Sequence, residues 1–122
     1  MISMRYKPYF LPQVSAPYNI VVDKFDEESI TYKLIEVDPV DLKPLQGIVF
    51  SDEVNNANIC DDNPIYVDND YHVLDGHHRF IKALSDGSKL KAIMVDLPYM
   101  DACRVLNKIQ DIYEYEQSQG DR

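Results

Sequence analysis

The sequence predicts an α+β fold: one small domain with a mixed sheet, a strand–turn–strand–helix–strand centre and a C-terminal helix. Three observations carry this. Two short apolar runs, "PIYVD" and "YHVLD", flank an Asn69-Asp70 turn pair. Directly after them, "HHRFIKALSDG" reads as a short helix closed by Gly87, and "KLKAIMVDL" returns to strand character. Then "MDACRVLNKIQDIYEYEQ" places Ala102, Val105, Leu106, Ile109, Ile112 and Tyr113 on one helical face. A chain of 122 residues is the right length for one such core.

The remaining elements follow in order. Residues 1–19 hold Pro8, Pro12 and Pro17, which fix φ and remove donors, so an extended arm is expected. "YNIVVDKF" reads as a strand from its β-branched run, "DEES" as a turn and "SITYKLIEV" as a second strand. "DPVDLKPLQ" opens with a short helical turn limited by Pro44, and "SDEVNNANICDDN" reads as a short helix followed by a loop. Asn69-Asp70 suits the positive φ values of a two-residue hairpin. The domain proper then spans 20–117, and a tail at 118–122 is expected to fray.

Twelve Lys and Arg against twenty-one Asp and Glu give a net charge of −9. Such a chain repels a phosphate backbone on average, which disfavours a nucleic-acid partner without forbidding a local basic site. The two cysteines, Cys60 and Cys103, lie far apart and show no metal-ligand spacing, so reduced thiols are expected. No apolar run approaches a membrane span, and "MISMRYKPYFLPQ" has no apolar core of a secretory signal. A cytoplasmic location without membrane contact is therefore expected, the host cytoplasm if a virus or plasmid encodes the chain.

The chemistry concentrates in "YHVLDGHHRF", where a strand runs through Asp75-Gly76 into a helix. A helix start offers backbone N–H groups and the positive end of a dipole to an anion. Gly76 lets the chain turn and lets a ligand approach the backbone. Arg79 carries a planar fork of donors that matches phosphate, and His77 and His78 can donate hydrogen bonds. Asp75 can hold a metal, orient a hydroxyl or act as a base. The competing reading is a plain capped helix with Asp75 as the cap. Metal binding through His72, His77 and His78 is less favoured, because neighbouring helix residues diverge. Tyr66 or Tyr71 could stack on a base, although strand tyrosines more often cover a core edge.

"PIYVDNDYHVLDGHHRFIKAL" resembles the core of the ParB/sulfiredoxin superfamily, in which a hairpin leads into a Gly-X-X-Arg turn that binds nucleotide phosphates. The upstream "LIEVDPVDLKPLQ" is similar to that superfamily's opening strand and Arg-Pro-like segment, here Lys43-Pro44. The resemblance covers roughly Tyr32 to Leu97. Sulfiredoxins carry a cysteine after the glycine, whereas this chain has His77, so that chemistry is not expected. Chromosome-partition proteins of the superfamily need a downstream helix-turn-helix and a basic surface, and this chain shows neither.

The nearest wording is the Asp-Gly-His-His-Arg turn of the free-serine kinases. That likeness implies ATP or ADP as the ligand, with CTP the partition-type alternative, Mg²⁺ as cofactor and a small hydroxyl compound as acceptor. It implies Asp75 and His77 in catalysis, Asp75 at the metal, and Gly76, His77, His78, Arg79 and Lys43 on the phosphates. The kinases' catalytic glutamate has no counterpart in Leu45-Gln46-Gly47, and only Glu53 lies near in sequence. The expected function is nucleotide-phosphate binding with phosphotransfer or phosphohydrolysis. The alternatives are a non-catalytic nucleotide sensor or protein-interaction module, and a small ParB-like nuclease. A homodimer is expected if part of the last helix's apolar stripe stays exposed.

Overall fold

The computed structural model describes residues 11–44 and 64–120. Strands β1 (Tyr32–Val37), β2 (Ile65–Val67), β3 (Val73–Asp75) and β4 (Leu90–Val95) form one sheet in the order β1-β4-β2-β3. β1 runs antiparallel to β4, with Tyr32 opposite Val95 and Val37 opposite Leu90. β2 runs parallel to β4 and antiparallel to β3. The sheet is therefore mixed, as expected. Helices α1 (Tyr18–Glu27), α2 (His77–Asp86) and α3 (Tyr99–Gly120) pack on it, and a 3₁₀ turn spans Pro39–Asp41.

Period-2 alternation gives the sheet two apolar faces. Tyr66, Leu74, Ile93 and Val95 pack with Val21 and Phe25 of α1 and with Ala102, Leu106 and Ile109 of α3. Ile65, Val67, Val73 and Ala92 pack with Phe80 and Ala83 of α2 on the other side. Both clusters are closed to water. A side chain such as Phe25 or Leu106 contributes about 1.5–3 kcal/mol relative to exposure.

The segment "YNIVVDKF" is a helix, not the expected strand. Its β-branched run suggests a strand, yet Tyr18, Val21, Val22 and Phe25 sit at helical spacing and all pack against α3 and the sheet. Burial of that face outweighs local β preference. Pro17 sits at the N-cap, so the arm ends there rather than at residue 19. α3 continues to Gly120, past Gln117, since no proline or glycine interrupts it earlier. The expected short helix in "SDEVNNANICDDN" lies outside the described residues, as do Cys60, Glu53 and Leu45-Gln46-Gly47.

The hairpin between β2 and β3 forms, but its turn differs from the expected one. Tyr71, not Asn69 or Asp70, takes the positive φ, at 65°. The cause is Asp68, whose fully buried carboxylate accepts the N–H of Asp70 and of His72, each at 2.9 Å. The same carboxylate meets His72 Nδ1 at 2.9 Å. These three contacts define a wider turn than a two-residue one.

Candidate functional site

β3 hands the chain to α2 at Asp75-Gly76, and a register shift decides where Asp75 points. Val73 pairs with Val67 and Asp75 with Tyr66, so two steps along β3 match one along β2. Such a bulge re-aims side chains. It sets Asp75 opposite Tyr66, on the face covered by α3 and the arm, where regular alternation would turn it toward α2. Gly76 then adopts φ 98° and ψ 29° as the N-cap of α2, with no side-chain cap. The plain-cap reading of Asp75 is therefore not what forms. The first helical bond runs from Phe80 N–H to Gly76 C=O at 2.9 Å.

Asp75, Gly76, His77, His78 and Arg79 line one wall of a cleft of about 480 Å³. The opposite wall comes from arm residues 11–15 and from Gln110 and Glu114 of α3. Gln110 is the clamp between arm and helix. Its Oε1 accepts the N–H groups of Ser15 at 2.9 Å and Ala16 at 3.2 Å. Its Nε2 donates to Ser15 Oγ at 2.8 Å and to Glu114 Oε2 at 2.7 Å. Gln110, Glu114 and the arm form cleft walls that were not expected from the sequence. One signal was present: Gln110 follows Leu106 by one helical turn and so interrupts the buried stripe with a polar residue.

The electrostatics of the first wall follow from burial. The Asp75 carboxyl is pushed up to about 6, first by desolvation; the Arg79 guanidinium and hydrogen bonds from the backbone N–H groups of Val14 and Gly76 hold it from rising further. Arg79 Nη2 lies 3.8 Å from Asp75 Oδ2, with both side chains less than a fifth exposed (19% and 16%). Nη2 also reaches Pro64 C=O at 3.4 Å, while the buried Nε–H has no hydrogen-bond partner among the described residues. His77 is only 5% exposed. Desolvation, then the neighbouring His78, lowers its pKa to about 4, so it is neutral at physiological pH.

Asp75 and His77 couple the site to pH in opposite senses. Asp75 binds its proton more tightly in the fold, so its contribution is present below pH 3.8 and is lost as pH rises toward 6. His77 resists protonation in the fold, so its contribution is present above pH 6.5 and is lost as pH falls toward 4. Each amounts to about 3 kcal/mol on the usual conversion, and the two windows overlap. The expected result is that they nearly cancel in the wild type between pH 4 and 6. In Asp75→Asn, stability measured by urea titration should fall steeply with acid. In His77→Gln it should rise instead. Parallel profiles for the two variants would refute the assignment.

Other sequence-derived candidates fall elsewhere. Lys43 does not line the cleft; its Nζ pairs with Asp70 at 3.0 Å, beside the hairpin turn. Tyr66 is buried, and its hydroxyl pKa is pushed up by burial and then by the Asp75 charge, so it offers no face for stacking. Tyr71 is exposed at the hairpin turn and does not line the cleft. Cys103 is a buried free thiol, raised to about 11 chiefly by desolvation, which keeps it unreactive. Among the described residues, no three His, Cys, Asp or Glu side chains gather as metal ligands. Asp75 faces a guanidinium and two N–H donors, a set that suits an anion's neighbourhood and does not fit a resident Mg²⁺. No helix among the described residues is long and apolar enough to cross a membrane.

The chain thus defines its class by its own architecture, a small α+β domain with a strand-to-helix cleft. No family model matches it, and no curated protein does. Among solved structures it is similar to the C2221 form of a Pnob8-like ParB-N domain, with 16% identity and a TM-score of 0.41. That match covers 60% of this chain and 33% of the other, so the chain spans about a third of its neighbour's length.

Proposed function

We propose that the cleft binds a phosphate-bearing ligand, with a nucleotide such as ATP, ADP or CTP as the leading class. The observation that carries this reading is Arg79. Its guanidinium is mostly buried, lines a cleft of ligand size and keeps an Nε–H without a partner among the described residues. A buried donor left unmade costs about 1–3 kcal/mol, and a phosphate oxygen is the acceptor a guanidinium matches best. Gly76 lines the same cleft at the start of α2, where backbone N–H groups and the helix dipole favour an anion.

Phosphotransfer or phosphohydrolysis is the reaction class that follows. Asp75, raised to about 6, is still mostly ionised at neutral pH and is basic enough to take a proton from a hydroxyl or water. Neutral His77 would contribute a hydrogen bond rather than a charge. A non-catalytic nucleotide sensor is the second reading. It is favoured by the occupation of Asp75, which already accepts two backbone N–H groups and faces Arg79.

The experiment is calorimetric titration with ATP, ADP, CTP and inorganic phosphate, with and without Mg²⁺, followed by a turnover assay on whichever binds. The enzymatic reading expects Asp75→Asn to bind as the wild type does and to lose at least about 100-fold in turnover. Binding without turnover in the wild type leaves the sensor. No binding by any of the four defeats both.

A further inference from the structure

The cleft's two walls are chemically unlike. The Asp75–Arg79 wall carries the guanidinium and the helix start, and its own carboxylate, Asp75, is offset by Arg79 at 3.8 Å and by the N–H groups of Val14 and Gly76. The facing wall carries acceptors, among them Glu114, an acidic side chain in a place where a bare phosphate would be repelled. Glu114 is exposed at the cleft mouth but oriented, because Gln110 Nε2 donates to its Oε2 at 2.7 Å while also holding Ser15 Oγ at 2.8 Å. A carboxylate is an acceptor only and offers about four lone-pair sites, so one bond from Gln110 leaves capacity for a ligand's hydroxyl or amino groups. Carboxylates take sugar hydroxyls in this manner in dinucleotide sites.

We infer that Glu114 is a specificity-determining residue and that the cleft takes phosphate esters carrying hydroxyl or amino donors in preference to bare phosphate. The inference rests on the phosphate reading of Arg79. The ligand lies across the cleft with its phosphate beside Gly76 and Arg79 and its donor-bearing end against Glu114 and the arm. Repulsion by Glu114 sets this direction, and acceptance of the donors rewards it.

Calorimetric titration of wild type, Glu114→Ala and Glu114→Gln with pyrophosphate, ribose 5-phosphate and ADP tests it. Glu114 is exposed, so both variants are expected to fold. In Glu114→Ala, ADP and ribose 5-phosphate should weaken about tenfold, while pyrophosphate is unchanged or tighter. Weakening of ADP alone would place the donor on the base rather than the sugar, and still supports the inference. Equal changes for all three probes, or no change for any, would overturn it while the phosphate reading stands. If the wild type binds none of the three, that reading falls and the inference with it.

Discussion

Replacing Arg79 with alanine should reduce nucleotide or phosphate binding by at least about 100-fold, the loss expected when two charge-assisted hydrogen bonds disappear. In the proposed site Arg79 is the decisive cation. Lys43 is turned to Asp70, and His77 is neutral. The substitution also removes the positive charge that holds the Asp75 pKa down, so Asp75 should titrate above 6 in the variant. Arg79→Lys keeps a charge but not the fork, and should recover only part of the affinity. Calorimetry checks the binding and a thermal melt checks the fold. An Arg79→Ala protein that folds and binds as tightly as the wild type would remove the phosphate assignment.

Gly76→Ala should be the most destabilising single methyl addition at the site. At φ 98° an alanine is strained by about 1–2 kcal/mol. Its Cβ would also meet Ile65, 2.8 Å from that residue's Cβ, and lie 2.9 Å from Arg79 Nη2. Forcing an extra carbon into packed surroundings costs about 1–3 kcal/mol more. A total of about 2–5 kcal/mol is a large share of a small domain's stability and should lower Tm by roughly 10 °C or more. Gly87 is the control. Its φ of 70° is also left-handed, but an added Cβ meets nothing within 4 Å. Gly87→Ala should therefore cost only the backbone strain, about 1–2 kcal/mol. Trimming Ile65 to alanine should recover part of the Gly76→Ala loss, a coupling that a double-mutant cycle measures. Equal melting temperatures for the two glycine variants would mean that Ile65 does not confine the turn.

The hairpin, the Gly76 turn, α2 and α3 were legible in sequence because each rests on a local pattern: alternation, a glycine at a junction, and a stripe at helical spacing. α1 was not, because Ile20, Val21 and Val22 read as strand until α3 and the sheet bury Val21 and Phe25. Asp75 was recognised by type, but its direction depends on the register shift against Tyr66, which no single strand encodes. The second wall was hidden for a different reason. Ser15 and Gln110 are 95 positions apart, and only the folded chain brings them together.

That separation has a consequence for how the cleft comes into being. Joining Ser15 to Gln110 closes a loop of nearly the whole chain, a step whose entropy cost grows with length and which local contacts do not share. The amides of Ser15 and Ala16 are held by one side chain, Gln110, so loss of that single clamp releases them. A ligand lying between arm and α2 would tie the N-terminal arm to the middle of the polypeptide. Occupancy would be felt as slowed hydrogen exchange at Val14, Ser15 and Ala16, far along the chain from the turn proposed to hold the phosphate.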